Sequence, residues 1–147
     1  MGIATNGLRM MTAVAATVLL GACATGGPAT APGGQVVTLE GRNEVPPNDS
    51  KAVGSATVTV GADRSLTVKV IASGMTPTAS HIHEAAAGAN GPVVVPFTKV
   101  GDNEFVSAPG AKLTDAQYAA YKAGNLYVNV HSAKNPGGEI RGQLKAQ

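Results

Sequence analysis

Short runs of alternating apolar and polar residues, broken by Gly, Pro, Asn and Asp, occupy the chain from Gln35 onward. The run "LTVKVIAS" is the clearest: Leu66, Val68 and Val70 fall on one side, Thr67 and Lys69 on the other. That period of two belongs to a strand with one buried face. "QVVTLEG", "SATVTV", "ASHIHE", "PVVVPF", "NEFVSAPG", "LYVNVHS" and "GEIRGQL" follow the same habit. "GADRS" reads as the hairpin turn between the second and third strands. "AKNPG" joins the last two, where Pro136 sets φ and Gly137 or Gly138 supplies a positive φ. One segment has a helical signature. In "LTDAQYAAYKAG", Thr114 stands at an N-cap with Gln117 three residues on, and Gly124 is a natural stop. Tyr118 and Tyr121 would share one side of that helix and pack on the sheet edge. About eight strands and one short helix predict an all-β fold, a β-sandwich with Greek-key connections.

The first part of the chain does not follow this pattern. Arg9 precedes the apolar run "MMTAVAATVLLGA", and Cys23 follows it. A charged start, a short apolar stretch and small residues at the cut are the parts of an export signal, and the stretch is too short to span a bilayer comfortably. "LGAC" (Leu20 to Cys23) resembles the lipobox of bacterial lipoproteins. That resemblance implies a signal peptide over 1–22, lipid on Cys23, and export to the cell envelope. Ala24 rather than Asp follows the cysteine, which in a Gram-negative cell implies the outer membrane, facing the periplasm. Cys23 is the only cysteine, so no intrachain disulfide forms. Residues 23–34, rich in Gly and Pro, read as a flexible tether. The folded domain is expected over 35–147.

Charge and composition exclude some partners. Without residues 1–22 the chain keeps ten basic and nine acidic side chains. Near-neutral charge, 3% aromatics and no Trp give no basis for nucleic-acid binding. The membrane partner is reached through the lipid alone, and a protein partner is left open. No GxSxG, P-loop or GxGxxG pattern is present, so no catalytic residue is assigned. The acids Glu44, Asp49, Asp102 and Glu104 read as solvated charge in loops or at strand starts, and Glu139 and Arg141 as an ordinary ion pair across strands.

The histidines carry the remaining chemistry. The chain has three: His81 and His83 in "SHIHE", and His131 at the end of "LYVNVHS". Ile82 should face the core, which turns His81 and His83 outward together. Leu126, Val128 and Val130 should likewise face inward, placing Tyr127, Asn129 and His131 outside. If the two strands are neighbours, the three rings converge. Same-face i, i+2 residues about 6.5–7 Å apart and opposed residues about 4.5–5.5 Å apart suit a metal held by ring nitrogens. Three neutral imidazoles suit copper first, with zinc the alternative and nickel also compatible. Glu84 has the opposite parity and should point away. The competing reading is a binding or structural module whose histidines only form hydrogen bonds.

Three stretches resemble one family. "LEGRNEVPP", "SHIHEAAAGANGPVVV" and "LYVNVHSAKNPGGEIRGQL" are similar, in this order, to hallmarks of the CHRD (chordin-type) domain. The resemblance covers roughly Val36 to Lys145 and implies an extracellular binding module. That family is in turn similar in strand pattern to copper/zinc superoxide dismutases, immunoglobulin-like Greek-key sandwiches in which an HxH pair and a late histidine hold copper. The likeness implies His81, His83 and His131 as copper ligands. No histidine remains for bridging a second metal, so dismutase activity is not expected, and a copper-dependent redox enzyme is the third reading.

Overall fold

The computed structural model describes residues 34–147 together with the terminal pair 1–2. Residues 3–33, which hold Cys23 and most of the expected signal peptide and tether, lie outside the described residues. Nine strands form among the described residues: β1 (Gln35–Glu40), β2 (Val53–Val60), β3 (Leu66–Ser73), β4 (Pro77–Glu84), β5 (Val93–Pro96), β6 (Thr98–Lys99), β7 (Glu104–Val106), β8 (Leu126–Ser132) and β9 (Ile140–Gln143). Among the described residues a single α-helix, α1 (Asp115–Lys122), precedes β8, and a 3-10 turn (Gly41–Asn43) follows β1.

All pairings are antiparallel, in the order β5-β4-β8-β9-β1-β2-β3-β7-β6. β5 and β6 stand at opposite ends of this order, yet Phe97 alone separates them in sequence. The sheet must therefore roll until its ends meet. The Phe97 N–H donates to the Ser80 carbonyl (3.1 Å) and Lys99 Nζ to the Pro77 carbonyl (2.7 Å), both on β4. The result is a nearly closed, sandwich-like all-β domain. β6 is the strand that raises the count from eight to nine. At two residues it is too short to carry a period.

The inward face is the apolar set that alternation predicts. β3 alternates buried and exposed along its whole length. Leu39, Val58, Val68, Val70, Ile82, Phe105, Leu126, Val128, Val130 and Ile140 are fully buried together. Each such side chain contributes about 1.5–3 kcal/mol. α1 carries the expected capping box: the Gln117 N–H donates to Thr114 Oγ1 (3.2 Å), and Gln117 Oε1 accepts from the Thr114 N–H (2.9 Å). Gly124, with φ 74°, ends it. Tyr121 is buried against the core and Tyr118 packs at its margin.

Candidate metal centre

β4 and β8 are direct neighbours. Ile82 pairs with Val128, His83 with Tyr127, and Ala79 with His131. Ile82 and Val128 are both fully buried, which fixes the register. A slip of one residue would turn Ile82 out and two imidazoles into the core. On the opposite face His81 and His83 project together, and His131 approaches His81 along the diagonal of the pairing. Their ring centroids lie 4.9–5.7 Å apart. One nitrogen from each ring falls within 4.8 Å of the other two. The sequence-predicted trio is thus assembled.

A bulge interrupts β4–β5 pairing at Ile82/His83. The extra residue, Val94, lies on β5, so the alternation of β4 is undisturbed. Glu84 keeps its opposite parity, pairs with Leu126 at the strand end, and stays outside the trio.

Hydrogen bonding fixes two of the rings. His83 Nδ1 lies 2.9 Å from the Gly91 carbonyl, and His131 Nδ1 lies 2.9 Å from the Pro136 carbonyl. A carbonyl only accepts, so both Nδ1 atoms carry the proton. Both Nε2 atoms therefore present a bare lone pair. His83 Nε2 is buried and has no hydrogen-bond partner among the described residues. A buried polar atom left unpaired is costly, which makes this nitrogen a candidate ligand atom. His81 Nδ1 faces His131 Nε2 at 3.1 Å. Two nitrogens bound to one ion at about 2.0–2.1 Å are separated by about 3.0–3.4 Å for angles between 95° and 110°. This pair already has that spacing. The remaining gaps, at most 4.8 Å, exceed the ceiling of about 4.2 Å for two nitrogens on one ion by at most about 0.6 Å.

Two of the rings, His81 and His83, are also biased toward the neutral form. Burial pushes the pKa of His81 below its ordinary 6.5, and the neighbouring His131 and His83 push it further down. Burial likewise lowers His83, aided by His131 and Arg141 and opposed by the Gly91 hydrogen bond. Neutral imidazoles with oriented lone pairs, backed by backbone carbonyls on the far nitrogen, are what a transition metal requires. The donor set fits the ion.

The surroundings differ from the sequence-based expectation in one respect. Tyr127 and Asn129 are on the outer face of β8 as predicted, but they are 3% and 2% exposed. Alternation reveals which side of a sheet a residue occupies, not what covers that side. Here the segments 41–50 and 85–92 lie over it. The Asn48 side chain donates to the Glu139 carbonyl, and Asn90 Nδ2 donates to the Val45 carbonyl. Beneath them lies a buried polar layer. Glu44 accepts from Asn129 Nδ2 at 2.6 Å. Glu139 accepts from Ser50 Oγ at 2.6 Å and from Ser132 Oγ. Arg141 stacks on the Tyr127 ring, its guanidinium carbon 3.3 Å from the centroid.

Two expectations are therefore corrected. Glu44 is not solvated charge. It is buried, and burial raises its pKa to about 7 against the pull of Arg141 and Asn129. Glu139 and Arg141 form no ion pair with each other. Glu139 sits in the bend just before β9, outside the strand that carries Arg141, so the two reach separate partners, the serines for one and Tyr127 and Glu44 for the other. Asp102 and Glu104 remain at the surface, the latter paired with Lys69 at 2.9 Å.

Residues 35–144 match the CHRD domain family, and the chain belongs to that family. No curated protein and no solved structure matches it.

Proposed function

We propose that this CHRD-domain protein is an exported, lipid-anchored module of the cell envelope that binds one transition-metal ion through His81, His83 and His131. The single observation that carries the metal reading is the buried, partnerless Nε2 of His83, aimed into a cluster whose other two nitrogens are already spaced for one ion. An all-imidazole donor set without thiolate favours copper, with zinc second. Two of the rings, His81 and His131, are partly open to solvent, which suits an ion that is taken up and passed on. The envelope location rests on the lipobox-like "LGAC" and on the family's extracellular character. Outer-membrane placement holds where the cell is Gram-negative.

A second reading has its own support. The direct His81–His131 contact at 3.1 Å serves equally as an ordinary hydrogen bond in a protein-binding module without metal. Calorimetric titration separates the two. Copper(II) and zinc are added in turn to the full chain carrying Cys23→Ser, so that no thiolate competes, and without a His tag. One ion bound per chain, copper more tightly, is the expected result. Absence of binding establishes the module reading instead. Anchoring is read from the mature N-terminus by mass spectrometry: a lipid-bearing Cys23 is expected, and an unmodified residue at another position refutes it.

A further inference from the structure

Tyr127 is held between two flat groups. Arg141 covers one contact, at 3.3 Å from the ring centroid. The His83 ring stacks with Tyr127 at 5.0 Å between centroids and 11° between planes. The Tyr127 hydroxyl also accepts from the Gly91 N–H at 3.2 Å. The carbonyl of the same Gly91 accepts from His83 Nδ1 at 2.9 Å. Arg141 Nη1 donates to Asn90 Oδ1 at 3.3 Å, on the residue just before. Arg141, Tyr127, the Asn90–Gly91 segment and His83 thus close a ring of contacts.

Residue 91 has to be glycine for that ring to close. A Cβ there would overlap the Glu84 carbonyl oxygen. Only a residue without a side chain brings its peptide close enough to the end of β4 to reach His83. Arg141 is fully buried yet forms no ion pair within 4.0 Å among the described residues. Burying a guanidinium is expensive unless other groups compensate it, and here the Tyr127 ring, Asn90 Oδ1 and Gln143 Oε1 do so. Its task in this geometry is to clamp a ring that in turn aligns a histidine.

We propose that Tyr127 and Arg141 are positioning residues of the histidine centre: Arg141 fixes Tyr127 and Asn90, and Tyr127 fixes both the plane of His83 and the Gly91 peptide that keeps its proton on Nδ1. Nε2 is then the donor presented to the ion. The proposal rests on the metal-binding reading and assigns these two side chains a role in it. It also accounts for three sequence features together: the "NG" of "GANGPVVV", the Tyr of "LYVNVH" and the Arg of "GGEIRGQ".

The test uses the full chain with Cys23→Ser and two further variants, Tyr127→Phe and Arg141→Gln. Tyr127→Phe keeps the stack and removes the acceptor for Gly91. Arg141→Gln removes the planar cation. Nitrogen-15 NMR of the metal-free proteins reads the His83 tautomer, and backbone amide spectra establish that each variant is folded. The parent protein shows a single Nδ1–H tautomer for His83. In Tyr127→Phe the His83 signals move toward a mixture of tautomers, and copper(II) affinity falls by about 10–100-fold, the usual effect of losing an outer-shell partner. Arg141→Lys keeps the charge and loses the planar fork, so it should not restore the parent behaviour to Arg141→Gln. If Tyr127→Phe and Arg141→Gln, both folded, retain one Nδ1–H tautomer, the positioning role is refuted. A parent protein that binds no ion refutes the metal reading, while the tautomer measurement still decides whether these residues set the His83 ring.

Discussion

His81 and His131 meet nitrogen to nitrogen, Nδ1 to Nε2, at 3.1 Å. Because His131 already donates its Nδ1 proton to Pro136, the proton between the two rings belongs to His81. An ion held by His81, His83 and His131 would have to displace that proton, which His81 could carry on its other nitrogen instead. On the proposed reading, one weak, replaceable hydrogen bond would close the cluster until an ion binds. A net bond of this kind is worth about 0.5–1.5 kcal/mol, small beside the apparent binding energy of a structural metal site at about 10–16 kcal/mol.

The first consequence concerns His131. It is partly exposed, so its removal creates little strain. His131→Ala leaves two ligands, both on β4. Copper(II) affinity should fall by more than the roughly 10–100-fold expected from losing a supporting partner. Glu84→Ala should leave the affinity within twofold, since Glu84 points away from the cluster. Calorimetry on the two variants checks both statements. Equal affinity in His131→Ala and the parent rules out a three-histidine site.

Acid should release the ion later than ordinary histidines would. Three imidazoles with pKa near 6.5 would lose about 1000-fold in affinity between pH 7.5 and 5.5. His81 and His83 are both held below that value, chiefly by burial. They stay deprotonated further into acid, so the loss over the same interval should be smaller. The same shifts act on stability. The unfolded chain takes up protons at these sites near pH 6.5 and the folded chain only lower down. Their contribution is therefore complete above pH 6.5 and is lost as pH falls through the lower folded values. Titrations at pH 7.5, 6.5 and 5.5 give the slope, and a fall of 1000-fold or more contradicts it.

Much of this site is legible in the sequence because a strand has a rigid period. Ile82 between two histidines, and Val128 and Val130 before the third, are enough to place all three rings on one face. The capping box at Thr114 and Gln117 is equally local and equally readable. What alternation does not contain is the second layer. Nothing in the spacing of Tyr127, Asn129 and Arg141 says that the segments 41–50 and 85–92 fold over them, because those contacts join positions 36 to 98 residues apart. Glu44 was unreadable for the same reason. An acid before two prolines looks solvated until its partner, Asn129, is brought up from 85 residues away.

The connection before β9 offers a test in which neighbouring glycines differ. Gly138 has φ 136°, whereas Gly137 has no positive φ. A Cβ at Gly138 would also lie 2.8 and 2.9 Å from the Glu44 carboxylate oxygens and overlap the Asn129 amide. At Gly137 nothing lies within 4 Å. Gly138→Ala should destabilise the fold by on the order of 1–3 kcal/mol, while Gly137→Ala should change it little. Chemical denaturation of both variants measures the difference, and equal midpoints would show that the turn does not depend on Gly138.

Glu44 should reveal itself through pH. Its folded pKa, about 7, stands above the ordinary carboxyl value of 4.5 because burial disfavours the carboxylate more than Arg141 and Asn129 favour it. Between those two values the folded protein binds a proton that the unfolded chain has released. Stability from this group is thus fully present below about pH 4.5 and declines as pH rises through about 7. Glu44→Gln keeps the size of the side chain and cannot ionise. Any other titrating group, the histidines included, is common to both proteins and largely cancels in their difference. Relative to the parent, Glu44→Gln should therefore gain stability as pH rises from 5 to about 7 and level off toward 8. Urea denaturation at pH 5, 6, 7 and 8 yields that difference directly. A difference that is flat across the series, or that shrinks with rising pH, means that Glu44 is ionised in the folded protein throughout and that Arg141 outweighs burial.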